Sequence, residues 1–172
     1  MNTGRTHTWH RALVVAVAAL ATAGTLAAYA MASSPNDGNR LEGTFTLSVA
    51  VLNDQLATYG IVQVIATGSG TLEGFGPATV TTGVTQDRTV TTCGPGSSVD
   101  QTTQRIVTAD GTLILRVSGT RCLEDGTPVI RGPFLVDGAA SSGVFAGATG
   151  DGEVVNRIGS PITLSGKLKL RD

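Results

Sequence analysis

The stretch "GTFTLSVAVL" (residues 43–52) alternates apolar and polar side chains without a break. On an extended chain its apolar members face one way and its polar members the other: Phe45, Leu47, Val49 and Val51 against Thr44, Thr46 and Ser48. Near the far end of the chain, "ITLSGKLKL" (residues 162–170) repeats the pattern. A period of two with one polar face is typical of antiparallel strands that cover a core on one side.

Runs of the same kind fill the sequence between these two segments, and no stretch repeats apolar residues at helical spacing. The candidate strands are residues 43–52, 59–67, 69–76, 78–86, 88–93, 103–109, 112–119, 128–136 and 160–170, with a weaker one at 153–157. Asp-Gly pairs at 110–111, 125–126, 137–138 and 151–152 suit two-residue hairpin turns, whose central residues need positive φ. Many short strands joined by regular turns predict an all-β domain, either a sandwich or a barrel.

The first residues have the features of a targeting segment. Arg5 and Arg11 precede an apolar run, residues 12–32, that closes with the small-residue sequence "AYAMA". This pattern predicts a secretory signal peptide that is cleaved near Ala30 or Ala32. The alternative is an uncleaved membrane anchor, because the run approaches the ~20 residues that span a bilayer. Against the anchor, ten of the 21 residues of the run are Ala and only three are Leu.

Cleavage there divides the chain into a signal peptide (residues 1–32), a flexible leader (residues 33–41) and a single β-barrel or sandwich domain (residues 42–172). The length of the remainder suits one domain with one core. We expect the mature protein to be secreted, hence extracellular, with no stable membrane insertion after cleavage.

Cleavage of the signal peptide also removes residue types that catalysis and metal binding often use. His7 and His10 are the only histidines, and Trp9 is the only tryptophan. A mature chain without histidine lacks the commonest general base and the commonest zinc ligand. We therefore expect no bound metal and no catalytic triad that contains histidine.

The charge balance makes nucleic acid an unexpected partner. Arg5 and Arg11 are two of the twelve basic residues, whereas all thirteen acidic residues lie outside the signal peptide, so the mature net charge is −3. No basic stripe is present to displace counterions from phosphates.

Cys93 and Cys122 are the only cysteines of the chain. An even pair in an exported protein predicts a disulfide. The alternative is a redox or metal pair, but the two residues lie much farther apart than the cysteines of a C-x-x-C motif.

Four glycines fall within "GVFAGATGDGEV" (residues 143–154), which raises the question of a phosphate-binding loop. Such a loop presents backbone N–H groups at a helix N-terminus and fits G-x-G-x-x-G or ends in Gly-Lys-Ser/Thr. Neither form is present here, and Pro161 with the β-branched residues that precede it excludes the helix. We expect these glycines to allow tight turns and close strand crossings.

The same stretch carries a resemblance to a known family. "SGVFAGATG" (residues 142–150) resembles the G-x-F-x-x-A-x-G signature of dirigent proteins and of related members of the allene oxide cyclase-like barrel superfamily. The matching positions are Gly143, Phe145, Ala148 and Gly150. Upstream, "GSGTLEGFG" (residues 68–76) is similar to a glycine-bracketed strand of that family.

The resemblance implies a single antiparallel β-barrel of about eight strands, with an apolar cavity, a few polar groups inside it and no cofactor. In this family acidic residues, with an ordered water or an arginine, steer cyclisation or act on a quinone methide. Glu73 is the only acid of the glycine-bracketed strand. It is therefore the candidate catalytic carboxylate in the lumen, and the alternative is a solvated strand residue.

Two arginines are candidate ligand-binding residues. If Asp110-Gly111 forms a two-residue hairpin, counting along both strands places Arg105 opposite Arg116. Like charges directly opposed destabilise a sheet, so the pair must be solvated outside or neutralised inside by an anion such as a ligand carboxylate. The opposite face is the more apolar and favours arginines outside; it carries Ile106, Leu113, Leu115 and Val117.

Three classes of function remain open at this point. The first is a binding protein that takes a small apolar molecule into or at the barrel mouth without a cofactor. The second is a cofactor-free cyclase, isomerase or dirigent-type enzyme. The third is a structural protein of the cell envelope with a filled barrel. Whether the protein is an enzyme stays open, because fold analogy alone does not establish activity.

Overall fold

The computed structural model of the protein describes residues 40–172. The predicted signal peptide and the predicted leader as far as residue 39 lie outside the described residues. The first strand begins at Arg40, and the side chain of Leu41 is fully buried. The folded domain therefore includes the last two residues of the predicted leader.

The described part of the chain is all-β, with nine strands and one short 3-10 helix. The strands are β1 (Arg40–Asn53), β2 (Ile61–Leu72), β3 (Gly76–Asp87), β4 (Ser98–Val107), β5 (Gly111–Glu124), β6 (Thr127–Val136), β7 (Ser142–Gly143), β8 (Thr149–Arg157) and β9 (Ile162–Lys169). The 3-10 helix, Ala57–Tyr59, lies in the connection between β1 and β2.

Eight of these strands close into an antiparallel barrel. Neighbours in the sequence are neighbours in the sheet from β1 to β6, β8 follows β6, and β9 pairs back with β1. The two-residue strand β7 pairs only with the start of β5, outside the ring. Closure leaves no continuous exposed edge, which a sandwich would retain. The prediction of a single antiparallel barrel of about eight strands is confirmed.

Strand β3 shows why the alternating pattern leads to this wall. Ala78, Val80 and Thr82 are buried, whereas Thr79 and Thr81 between them are exposed. The side chains of a strand point alternately to its two faces, so one set faces the lumen and the other faces solvent.

Of the four Asp-Gly pairs, one is the expected hairpin. Asp125 and Gly126 join β5 to β6 with φ angles of 51° and 76°, and the flanking residues Glu124 and Thr127 pair directly. Both central φ angles are positive, as a type I′ turn requires.

Asp151-Gly152 lies in the middle of β8, so the prediction of a turn there is wrong. A side chain at residue 152 would meet the ring of Phe134, because a Cβ would lie 2.6 Å from the Phe134 Cε1 atom. Glycine at this position makes room for an aromatic ring of the core. The glycine is present for packing and does not mark a turn.

Three strand predictions need correction. Residues 59–67 and 69–76 belong largely to one strand, β2, which ends at Leu72. Residues 88–93 form part of the loop between β3 and β4. Val51 does not share the face of Phe45, because the pairing of β1 with β2 shifts by one residue between Val49 and Val51. A bulge of this kind reverses the orientation of every later side chain.

The predicted pairing of the two arginines is also wrong. Arg105 lies opposite Ile114, and Arg116 lies opposite Thr103. The cause is the turn: the last pair joins Val107 to Thr112, so four residues and not two lie between the paired positions. The observed register of β4 against β5 differs from the predicted register by two residues. A shift by an even number changes which residue lies opposite each arginine and leaves both arginines on the same face of the sheet.

The lumen has two different halves. One half, here called the base, is packed with apolar side chains; its fully buried members include Leu41, Leu72, Ile106, Leu113, Leu115 and Phe134. The connection between β6 and β8 closes this end with Phe145, which is fully buried. The ring of Phe145 lies 4.7 Å from that of Phe75, centroid to centroid. The other half, the mouth, contains the opposite ends of the same strands.

The disulfide joins Cys93 to Cys122 with a Cα–Cα distance of 5.8 Å, so this prediction is confirmed. Cys122 lies near the end of β5, next to the mouth, and Cys93 lies in the loop between β3 and β4. The bond therefore ties that loop to the barrel rim.

Candidate functional site

The mouth contains a cavity of about 410 Å³. Much of its wall is apolar, including Leu47, Val64, Val84, Ile130 and Ile162. Small-molecule sites usually measure ~300–1,000 Å³ and combine an apolar wall with a few polar groups. The cavity has the size and the wall of such a site.

The cavity exists because β9 is short. It pairs with β1 only from Arg40 to Phe45, whereas β1 continues to Asn53 in a hairpin with β2. Beyond Phe45 the wall has no strand between β1 and the end of β8, where the turn of residues 158–161 approaches instead. Residues on both sides of this lateral gap, among them Val49 and Ile158, line the cavity.

Polar side chains replace apolar ones where the lumen passes from the base to the mouth. On β3 the inward positions change from Ala78 and Val80 to Thr82 and Gln86. On β4, Asp100 lies at an inward position and is fully buried. On β5 the inward row ends at Arg121. These polar residues form the floor of the cavity and the layer behind it.

Asp100 lies behind the floor and does not line the cavity. The hydroxyl of Ser98 donates to one carboxyl oxygen at 2.6 Å, and the side-chain amide of Gln86 donates to the other at 3.2 Å. Burial raises the pKa of Asp100, against the opposing effect of these hydrogen bonds and of the charges of Arg121 and Arg88. The carboxyl group holds Gln86 in place and is sealed from the cavity.

Gln86 links Asp100 to a cation at the rim. Its amide oxygen accepts a hydrogen bond from an Nη of Arg88 at 3.3 Å, while its amide nitrogen donates to Asp100. Both ends of the amide are therefore fixed. Gln86 and Arg88 line the cavity together.

Two polar groups of the cavity wall lack partners. Within residues 40–172, the buried Nε of Arg121 and the buried hydroxyl oxygen of Thr82 have no hydrogen-bond partner. Both residues line the cavity. Buried polar groups are nearly always paired, because an unpaired one loses its hydration without compensation. The wall of the cavity therefore contains polar groups whose hydrogen-bonding capacity the described chain leaves unused.

The electrostatic balance of this floor is positive. Arg88 and Arg121 are both near the single carboxyl of Asp100, which burial drives toward its neutral form. The four ion pairs of the described residues involve Arg40, Arg116, Arg131 and Arg157, so neither floor arginine belongs to one.

The structure does not bring the sequence-predicted site residues together, and none of them lies at the cavity. Glu73 is exposed in the turn between β2 and β3, at the base end, so the interpretation as a lumen carboxylate is not supported. Arg105 and Arg116 are exposed on the outer wall. Arg116 forms an ion pair with Asp137 at 3.0 Å and donates to the hydroxyl of Thr103 at 2.8 Å.

The sequence contained a weak signal for the residues that were missed. In "SVDQTTQRIV" (residues 98–107) the buried positions are Ser98, Asp100, Gln104 and Ile106. Polar residues occupy both faces of this strand, so alternation between apolar and polar cannot identify the inner face. The predicted strand of residues 103–109 therefore misses the first five residues of β4, 98–102.

The residues of the glycine-rich motif lie at the base, far along the strands from the cavity. Gly143 adopts a φ of 64°, and a side chain there would collide with the backbone oxygen of Asp110. Phe145 and Ala148 belong to the core. The expectation of tight turns and close crossings is confirmed, and the motif closes the barrel.

Residues 40–172 contain no group of three or more His, Cys, Asp or Glu side chains placed to hold a metal ion. The same residues include no helix that is long and apolar enough to span a membrane.

No family model matches this chain, and no curated protein is significantly similar to it in sequence.

Proposed function

We propose that the protein binds a small, largely apolar molecule in the mouth of its barrel, without a cofactor. The observation that carries this proposal is the cavity of about 410 Å³, which joins an apolar wall to two polar groups that have no partner in the described chain. An unpaired buried arginine nitrogen and an unpaired buried hydroxyl cost stability, and the residues that carry them, Arg121 and Thr82, line the cavity, where a ligand can contact them.

Two observations favour binding over the alternatives. An enzyme of the cyclase or dirigent type needs an acid in contact with its substrate. Asp100 is the one buried acid among residues 40–172, and Gln86 separates it from the cavity. A structural protein with a filled barrel has no use for an open mouth, and here apolar packing fills only the base.

The proposal also includes two predictions from the sequence: that the protein is exported, and that it is related to dirigent and allene oxide cyclase-like barrels. The disulfide is compatible with an oxidising compartment outside the cytoplasm. N-terminal sequencing of protein recovered from the culture medium should find a start near Ser33, and recovery of intact chain from membranes alone would refute export. The resemblance to dirigent and allene oxide cyclase-like barrels rests on residues of the base, so it concerns barrel closure and offers no guide to the ligand.

The binding test uses an uncharged apolar fluorophore, phenylnaphthylamine, whose emission rises in an apolar cavity. Val64→Trp should fill the cavity and weaken binding by about tenfold or more. Gln63→Trp is the matched control, because residue 63 is exposed on the outer wall of the same strand. Thermal melts establish that both variants fold.

Binding of the fluorophore by the wild-type protein and by the control, but not by Val64→Trp, is the expected result. Failure of the wild-type protein to bind, or equal affinity in all three proteins, would overturn the proposed site.

A further inference from the structure

We infer that the natural ligand is an anionic amphiphile, an apolar chain or ring with one carboxylate, and that Arg121 binds the carboxylate. The inference deepens the proposed function and rests on it: the cavity must first be a ligand site.

The state of Arg121 is the first argument. Its Nε is buried and has no partner within residues 40–172, and its guanidinium belongs to none of the ion pairs of that part of the chain. A guanidinium keeps its charge in proteins, so it cannot escape the cost of burial by losing a proton. A carboxylate matches the planar fork of its N–H groups and forms short, charge-assisted hydrogen bonds with them.

The second argument is that the chain itself does not supply this carboxylate. Asp100 is the nearest buried acid, but Ser98 and Gln86 already donate to both of its oxygens. Burial also raises its pKa, which weakens it as a counterion. Arg88 adds a second cation that lines the same cavity. The floor therefore has more positive charge than the chain neutralises.

The third argument concerns the rest of the ligand. The walls above the floor are apolar, with Leu47 and Val49 on one side of the lateral gap and Ile158 on the other. A fully polar anion such as phosphate would leave these walls in contact with water. A molecule with an apolar body and one anionic end satisfies both parts of the cavity, with Thr82 as a further hydrogen-bonding group.

The experiment compares decanoate with decanol, which share a carbon chain and differ in charge. Each competes with phenylnaphthylamine for the purified mature protein at low and at high salt. Decanoate should bind at least about tenfold more tightly than decanol, as a charge-assisted hydrogen bond in a partly buried site predicts. Arg121→Met should remove this preference, so that the variant binds decanoate no more tightly than decanol.

Arg105→Met is the matched control, because it removes the same charge from the outer wall of the neighbouring strand. It should keep the preference for decanoate. If Arg121→Met does not fold, the wild-type comparison of decanoate with decanol still tests the anionic ligand. Arg88→Met then tests the floor cations, and it should reduce the preference for decanoate by less than the loss expected for Arg121→Met.

The outcomes separate the two proposals. Equal affinity of the wild-type protein for decanoate and decanol would overturn the anionic ligand and leave the cavity as a binding site. Failure to bind phenylnaphthylamine, decanol and decanoate would overturn both. A preference that Arg105→Met abolishes as fully as Arg121→Met would assign it to net charge and refute the role of Arg121.

Discussion

The same strands form both halves of the barrel lumen, but one half is packed with side chains and the other contains a cavity. At the base the inward positions carry leucine, isoleucine and phenylalanine, and Phe145 closes the end. At the mouth the inward positions of β3, β4 and β5 include threonine, glutamine, aspartate and arginine, and these lie beside or behind a cavity whose other walls are largely apolar. The base supplies the burial that stabilises the barrel, and this allows the mouth to keep unsatisfied polar groups that destabilise it. Base substitutions should therefore change stability, and mouth substitutions should change binding.

The largest expected effect tests the base. Phe134→Ala should lower the free energy of unfolding by about 3–5 kcal/mol, because it leaves a cavity among close-packed side chains. Chemical denaturation measures it. Val84→Ala at the mouth is the comparison and should cost about 1 kcal/mol or less, since its side chain is half-buried beside an existing cavity. Equal losses for the two variants would break the distinction between the halves.

Removal of the disulfide should have the next largest effect. Its cysteines are 29 residues apart in the sequence, and a crosslink of that span stabilises a chain by about 3–4 kcal/mol in the loop-entropy account. The double variant Cys93→Ser/Cys122→Ser should lose about this amount in denaturant titrations. The untreated protein should show no free thiol when unfolded, and two titratable thiols there would contradict the bond.

Asp100 tests the layer between the halves. Asp100→Ala should cost about 2 kcal/mol, because it leaves Gln86 and Ser98 without their acceptor in a buried position. Asp100→Asn keeps an acceptor and removes the buried charge, so at neutral pH it should cost less or even stabilise the protein. An asparagine variant as unstable as the alanine variant would show that the charge itself is needed.

The same residue predicts a pH dependence. Burial raises the pKa of Asp100, so the folded chain holds this proton to a higher pH than the unfolded chain does. Its contribution to stability is complete below the ordinary carboxyl pKa and declines as the pH rises from there through the raised pKa. The difference in stability between wild type and Asp100→Asn, followed by denaturation across acid to neutral pH, should shift in favour of the variant as pH rises. A difference independent of pH would contradict the raised pKa.

The smallest effect is expected on the outer wall. Arg116→Ala breaks the ion pair with Asp137, but the side chain of Arg116 is 58% exposed, so water already screens the charge. The free energy of unfolding should change by no more than about 0.5 kcal/mol, and binding of decanoate should not change. A loss of ligand binding would return the outer arginines to consideration as a site.

Predictions from the sequence were most successful where one face of a strand is apolar. The strand that contains Phe45 and the strand that contains Leu164 follow the alternation, and both side chains are buried as expected. The disulfide and the Asp125-Gly126 hairpin were also predictable, because each depends on local chemistry or on residue type alone. The same approach failed at Asp151-Gly152, where the glycine serves a ring that is distant in sequence.

The candidate site could not be found in this way. Asp100 lies in a stretch that resembles a loop, because a strand with polar residues on both faces has the composition of one. Arg121 lies beyond the predicted end of its strand, next to Cys122. Glu73 was preferred because it stands between glycines, and the structure places it in an exposed turn.

From the amino-acid pattern alone one could predict that the part of the chain from residue 40 onward is all-β and that the two cysteines pair, and one could see that no histidine follows residue 10. These properties depend on the period of side chains along one strand and on residue counts. Which end of the lumen is filled could be learned only from the folded chain, because it depends on where β9 stops against β1 and on which polar side chains of β3, β4 and β5 meet inside. Strand register and barrel closure relate residues far apart in sequence, and alternation within a single strand carries no information about either.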